Sequence, residues 1–580
     1  MCDLTPASAK PETAWLGRSF IAFEDGLPLR NVGGSKVVRK QGVGAYVNEL
    51  DTLWFSSTDG SSPLDNGRTY EARAVDGSAG ILSSRWRAVA LGLAILAVVV
   101  STLLSTSALS HRVFLSVAGL CLVVQTFAAL NHGVVHVDAG SSLPYAREVM
   151  EGRLPYRDFL YNFTPLGVMA LAVWKRLGPA EGMAAHTFSL LLILILEGLC
   201  AHQVFKISRA LRMTSPLAGV VALSYLSTFM FFDGSRMLYE PMYLLVVLIA
   251  FRIQVASPSG RSPWVAGGLA SLAFLIKQYG GFAFWGALFA SRSQPRPVAS
   301  AAKVILGAAA GLAAVGLGLL VAGVDLRLLA AQTLTGNYPA QRESVWIRLY
   351  FGFAPFLLLA PLLFLRREWR AQNGVMALLG YLVASWMPLL VRQHQYYLQN
   401  PSPFLFLAFG TLVSLIAAAF SPTRSRWIET AAMICLVSVP VRAAQSHTFG
   451  MPPVRGVQER RARLMTSYWP SGQPVLMFAS PSFLALTGYR SPDLSGLGYR
   501  FLNETSLEQV RAGMERASAA WIDPDSMWAR GDFARAGTSL KEELVRHGFE
   551  LQMALEDRYE LWTKGGALPL RQPPPSVGLE

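Results

Sequence analysis

The chain is short of charge. Of its 580 residues only 15% are Asp, Glu, Lys or Arg, while 52% are hydrophobic. A soluble globular domain carries about a quarter charged residues. The shortage is concentrated in particular stretches. Between Arg112 and Ser141 the only charged residues are Arg112 and Asp138, and between Val304 and Gly323 there is none. About 20 apolar residues in a helix cross a hydrocarbon core of about 30 Å. Lipid offers the backbone no hydrogen-bond partner, so such runs must be helical. These absences exclude a single soluble domain and imply a mainly α, polytopic transmembrane helix bundle of roughly ten to twelve spans.

Cysteine is also scarce. Cys2, Cys121, Cys200 and Cys435 form no C-x-x-C pair, and three lie in apolar segments, which argues against a disulfide framework or a zinc site. The opening MCDLTPASAKPETAW lacks the charged-then-apolar pattern of a signal peptide. The net charge is +14, yet no basic stripe is interleaved with aromatics, so nucleic acid is not an expected partner.

Candidate spans are 88–108, 112–132, 185–206, 216–232, 239–255, 264–276, 279–291, 302–323, 347–365, 374–391, 402–420 and 427–443. The pair around Lys277 and Gly280–Gly281 reads equally as one broken helix, and 165–178 as a helix along the interface. Positive charge in short loops sets orientation. Loops with Lys206, Arg209 and Arg212, with Arg261, with Arg292 and Arg296, with Arg366, Arg367 and Arg370, and with Arg424 and Arg426 are expected in the cytoplasm. They alternate with loops carrying Asp138, Asp233 to Glu240, Asp325 to Glu343, and Arg392 to Asn400, which face the other side.

Four regions follow. Residues 1–85 are a polar, β-rich module with turn signals at Asp59-Gly60 and Asn66-Gly67. An even span count puts this module outside, whereas Arg85 and Arg87 favour the inside. Residues 86–443 are the membrane region. Residues 444–565 are predicted to form an extracytoplasmic α/β domain, with strands at VLMFAS and AAWID, a helix at SLKEELVRHG and a strand pair in FELQMALEDRYELWTK. Residues 566–580 are a tail rich in proline.

The densest polar stretch is NHGVVHVDAGSSLPYAREVMEGRLPYRDFLYNFTPLG, residues 131–167, directly after an apolar run. An amphipathic interfacial helix with solvated turns would account for part of it. The concentration of His136, Asp138, Arg147, Glu148, Arg157 and Asp158 beside a bilayer also suits a functional loop.

An Asp after an early span, then EGRLPYRDFLYNFTPLG, resembles the first external loop of the GT-C superfamily. These are polytopic membrane glycosyltransferases of the protein O-mannosyltransferase and aminoarabinose transferase group. SRMLYEP (235–241), FLIKQYGG (274–281) and RQHQYYLQNPSPFL (392–405) are similar to later segments of the same proteins. The resemblance spans roughly 110–440. The chain departs from the pattern where Ala139 follows Asp138, because many relatives carry paired acidic residues there.

The resemblance implies a membrane glycosyltransferase of inverting type. It implies a polyprenyl-phosphate or diphosphate sugar donor, a glycan, lipid or protein acceptor, and a multi-pass location in the bacterial inner membrane with the active site outside. Asp138 is the candidate general base, since the acceptor must lose a proton. Asp138 with Glu240 would alternatively hold a divalent cation, Mg or Mn, through hard oxygen ligands. Arg157, Arg236, Lys277 and His394 are candidates to meet the carrier phosphate, with Asp158 beside them. Tyr396 and Tyr397 would bind or stack on the sugar.

Each has a structural alternative. Arg236 and Glu240 stand four apart and would pair on one helix face. Tyr396 and Tyr397 suit an interfacial aromatic belt, and Lys277 would snorkel to headgroups. His394 alone is more often structural. Glu197, inside an apolar span, is expected to be paired within the bundle. A transporter or lipid flippase is the competing function, but no internal repeat is visible and the charges gather at one face. A structural assembly protein is a third reading, one that needs none of the loop charges.

Overall fold

The computed structural model describes residues 2–3, 19–25, 27–28, 30–31, 45–49, 52–57, 61, 67–75, 137–159, 161, 163–179, 181–229, 239–256, 261–334, 373–388, 400–446, 455–469, 473–478, 482–491, 504–522, 539–555 and 559–564. The candidate spans 88–108, 112–132 and 347–365 lie outside them, as do Arg236, His394, Tyr396 and Tyr397. Two compact units are present: Met1–Ala90 with Arg442–Val454, and Leu91–Val441 with Arg455–Glu580.

The first unit is built of strands. β1 (Cys2–Asp3), β4 (Arg30–Asn31), β5 (Ala45–Glu49) and β6 (Thr52–Phe55) form one sheet in the order β1-β6-β5-β4. β2 (Ser19–Glu24), β3 (Leu27–Pro28) and β7 (Tyr70–Val75) form another, with β2 pairing antiparallel to both neighbours. Phe55 is buried, and its ring lies 5.1 Å from that of Tyr70, which links the two sheets.

The second unit is mainly helical. Its helices are α1 (Val137–Met150), α2 (Leu166–Lys175), α3 (Gly182–Ala210), α4 (Ser215–Phe229), α5 (Glu240–Ala256), α6 (Ser262–Ile276), α7 (Phe282–Ser291), α8 (Pro297–Val321), α9 (Leu326–Leu334), α10 (Asn373–Ser385), α11 (Ser402–Ala417) and α12 (Pro422–Ser446). Helices therefore occupy every candidate span that the structure describes. Among the described residues two, α3 and α8, are long and apolar enough to cross a membrane. The second is the more telling. Its apolar window has a mean hydropathy of 2.4, yet only 22% of it is buried, and Leu317 and Leu320 lie exposed. Most of this apolar helix is therefore left uncovered by the described protein.

Small residues let these helices approach closely. A Cβ on Gly267 would lie 2.1 Å from the carbonyl oxygen of Val304, and one on Gly307 would lie 2.3 Å from that of Trp264. This seam joins α6 to α8 backbone to backbone, as in membrane helix pairs that lack a hydrophobic drive. The break at Lys277 is real. Lys277 is extended (φ −155°, ψ 133°), and a short 3₁₀ turn, Gln278–Gly281, leads into α7.

Past α12 come α13 (Arg455–Tyr468), β8 (Val475–Phe478), α14 (Ser482–Thr487), α15 (Glu504–Arg516), β9 (Ala519–Ile522), α16 (Leu540–Arg546), β10 (Phe549–Leu555) and β11 (Tyr559–Lys564). The sheet runs β10-β11-β9-β8, with β8 and β9 parallel and the rest antiparallel. Both β8 and β9 are buried at every position, as their unbroken apolar sequences require. Ser539 and Glu542 cap α16 reciprocally, and Gly548 ends it at φ +79°. Val510, Met514, Leu540, Leu544 and Trp562 form a separate small core on one side of the sheet. On the other side, Phe483, Leu484 and Tyr489 join the main core with Leu143 and Tyr145 of α1.

Candidate functional site

The site assembles where the first loop meets the ends of three later segments. The loop leaves α1 through a tight turn in which Tyr156 adopts φ +64°. The Tyr156 hydroxyl donates to the carbonyl of Phe163, closing the loop on itself. Tyr145, Tyr161 and Phe163 then pack edge to face, with ring centroids 4.9 and 5.8 Å apart along the row. Thr164 donates its hydroxyl proton to the carbonyl of Phe274 at 2.8 Å. A Cβ on Gly167 would lie 2.7 Å from the carbonyl oxygen of Ile276, so the start of α2 sits directly against the backbone that leads into Lys277.

Glu240 opens α5, where a carboxylate suits the positive helix end. It accepts a hydrogen bond from Lys277, and the two are 0% and 2% exposed. The Lys277 ammonium also lies 5.0 Å from the centroid of the Phe163 ring. One face of this ion pair is therefore covered by the first loop. Tyr161 donates to the Tyr239 hydroxyl at 3.1 Å, immediately before Glu240. Burial, and then Tyr239 beside it, push the Tyr161 phenol well above its ordinary range, so it stays protonated and able to donate.

A fourth segment joins one turn further along α5. Tyr243 donates to the side-chain carbonyl of Asn400, the last residue of RQHQYYLQN. Residues from all four resembling segments thus converge on the first turn of α5.

Lys277 and Glu240 are brought together, and Lys277 is buried rather than snorkelling to headgroups, the structural alternative. Lys277 is buried because its extended backbone and the 3₁₀ turn hold it beside Glu240. Arg157 and Asp158 pair with each other at 2.6 Å but stand apart from this pair, on the exposed side of the loop. Arg157 also donates to the carbonyls of Ala322 and Gly152, and Asp158 accepts from the Leu154 amide, so both brace the turn. The Arg157 guanidinium beside Asp158 holds its carboxyl below the usual range. Asp138 lies in the first turn of α1.

Glu197 departs from expectation. Both its carboxylate oxygens are buried, and among the described residues neither has a hydrogen-bond partner. One Glu240 oxygen takes the Lys277 ammonium, and the other is buried without a hydrogen-bond partner among the described residues. Sequence reasoning missed Tyr161, Phe163, Tyr239, Tyr243 and Asn400. All but Asn400 are aromatics in aromatic-rich segments, where only long-range pairing singles them out.

No protein-family model matches the sequence, and no curated protein matches it. Solved structures do. The ArnT structure from Cupriavidus metallidurans bound to undecaprenyl phosphate superposes with a TM-score of 0.53, over 79% of this chain and 99% of that one, at 12% identity. The chain has the ArnT fold. The apo ArnT structure matches equally, with a TM-score of 0.53. The Archaeoglobus fulgidus oligosaccharyltransferase AglB, in complex with an inhibitory peptide and a dolichol-phosphate, reaches 0.44 at 12% identity over 78% and 75% of the two chains. The fold expected from the loops is thus matched by the ArnT fold, although about one residue in eight is shared.

Proposed function

We propose that the chain is a membrane glycosyltransferase that moves a sugar from a polyprenyl-phosphate or diphosphate carrier to an acceptor on the extracytoplasmic face of a bacterial inner membrane. The observation that carries this reading is the convergence of the four segments on the Lys277–Glu240 pair within the ArnT fold. ArnT itself binds undecaprenyl phosphate.

The chemistry follows from the groups present. The acceptor hydroxyl or amine attacks the anomeric carbon, the bond to the carrier phosphate breaks, and the configuration inverts. Asp138 takes the acceptor proton as general base. Lys277 offers a buried cation for the phosphate that leaves. Glu240 engages the ammonium and aims it. Arg236, His394, Tyr396 and Tyr397 complete the phosphate and sugar contacts, and Arg157 and Asp158 hold the loop's shape. The polytopic count of ten to twelve spans, the four regions drawn along the chain and the outward orientation belong to the same proposal.

The test is transfer in nanodiscs, with the purified chain and a panel of polyprenyl-phosphate sugars, followed by mass spectrometry of candidate acceptors. Sugar-dependent release of the carrier phosphate supports the proposal. Translocation of a lipid or glycan across proteoliposomes with no transfer would favour the flippase reading, which the lone Glu197 in α3 would then serve.

A further inference from the structure

A second set of buried charges lies away from the Lys277 pair, in the seam between α1, α2, the start of α3 and α14. Arg147, near the end of α1, donates to the main-chain carbonyl of Tyr489 and, at 3.3 Å, to Glu181. Its Nε is buried and has no partner among the described residues. Lys175, the last residue of α2, is 3% exposed, and its hydrogen bond among the described residues is a long one, 3.4 Å, to the carbonyl of Leu143. Both line one cleft of about 210 Å³, counting its open mouth, together with Glu181, Leu143, Pro144 and Leu484. The enclosed part has room for one water-sized guest.

The electrostatics of this cleft are unbalanced. Two cations face one carboxylate, and Glu181 is half exposed. Glu148 takes Arg153 at 2.5 Å and also feels the charge of Arg147, which leaves a surplus of one positive charge across Arg147, Lys175, Arg153, Glu181 and Glu148, and Glu151 takes Arg490 at 3.0 Å. A buried, uncompensated positive charge is costly, and the remaining walls are apolar. A buried, unpartnered arginine Nε and a buried ammonium lining a small apolar-walled cleft suit a weakly hydrated anion of low charge better than a doubly charged phosphate.

We propose that Arg147 and Lys175 form a binding site for a small monovalent anion of halide size, which completes the seam between the first-loop helix and the C-terminal α/β region. The bound ion neutralises the surplus charge and holds α14 against α1. The groups that face Lys175 are Arg147 from α1 and Glu181 ahead of α3. Burial, and then Arg147, push the Lys175 ammonium down to about 8. Anion binding therefore weakens as the pH rises above that value, when Lys175 gives up its proton.

The experiment uses the full chain in detergent or nanodiscs. Thermal unfolding is followed in sodium chloride, bromide, gluconate and phosphate at constant ionic strength. Excess ³⁵Cl line broadening reports binding directly and does not depend on any variant folding. Chloride and bromide are expected to raise Tm saturably by about 2 °C or more, gluconate and phosphate not to. Line broadening is expected to appear at neutral pH and to shrink well above pH 8. Lys175→Met should lose both responses. Equal stabilisation by gluconate, absence of ³⁵Cl broadening, or a full chloride response in Lys175→Met would each overturn the proposal. So would stabilisation that appears only with anionic phospholipid, since the occupant would then be a lipid phosphate. None of these outcomes depends on whether the chain transfers sugars.

Discussion

Lys277 and Glu240 form an ion pair sealed inside the helical unit, 37 residues apart in sequence and almost without exposure. Removing one partner of such a pair leaves a buried charge and costs about 3–5 kcal/mol. Lys277→Met and Glu240→Gln are each expected to destabilise by that order, and the double replacement by less than the sum. Denaturant titration of the solubilised chain measures the coupling. Strictly additive costs would show that the two side chains do not pair. Transfer is expected to be lost in all three variants.

The Tyr161–Tyr239 bond ties the first loop to the residue before Glu240. One such bond is worth about 1 kcal/mol. Tyr161→Phe and Tyr239→Phe should therefore each lower kcat/KM about fivefold, and the double variant should be little worse than either. Independent, multiplying losses would mean that the two hydroxyls act separately.

Asp138→Asn removes the proposed base without changing its size. A positioned base contributes about 10²- to 10⁴-fold. Transfer should fall by that factor while Tm stays near that of the parent chain. Near-normal turnover would remove Asp138 from the mechanism.

In the seam, burial decides the size of the effect. The Arg490–Glu151 pair is 58% and 33% exposed, so Arg490→Gln should change stability by less than about 1 kcal/mol. Arg147→Met removes a buried bond to Tyr489 and a half-exposed one to Glu181 and should cost about 2 kcal/mol. Limited proteolysis of the C-terminal region ranks the two. Greater loss in Arg490→Gln would invert this account.

The C-terminal region should also weaken in acid. Arg511 donates to Glu543 at 2.9 and 3.3 Å and, with Arg546, holds the Glu543 carboxyl below its usual value of 4.5. A depressed carboxyl gives stability that is present above the unfolded value and lost as the pH falls through the lower folded one. Unfolding followed by Trp521 and Trp562 fluorescence should show this loss below about pH 4. Glu543→Gln should be less stable at neutral pH and flatter in acid.

Local rules carried much of the architecture. Apolar run length marked α3 to α8, α10, α11 and α12, because a helix in lipid must satisfy its own backbone. The unbroken apolar β8 and β9 and the Gly548 stop could be read for the same reason: each depends on neighbours a few residues away. The order of the four segments was also legible in the chain. What only the tertiary structure decided is which residues meet. Local spacing offered Arg236, which lies outside the described residues, as a partner of Glu240, and the fold supplies Lys277. It offered a paired Glu197, and the fold leaves that carboxylate without a hydrogen bond among the described residues. Tyr243 reaches Asn400 across 157 residues and Arg147 reaches Tyr489 across 342. Such contacts depend on how helices pack and where a backbone unwinds, and no periodicity within a segment encodes the partner that packing brings to it.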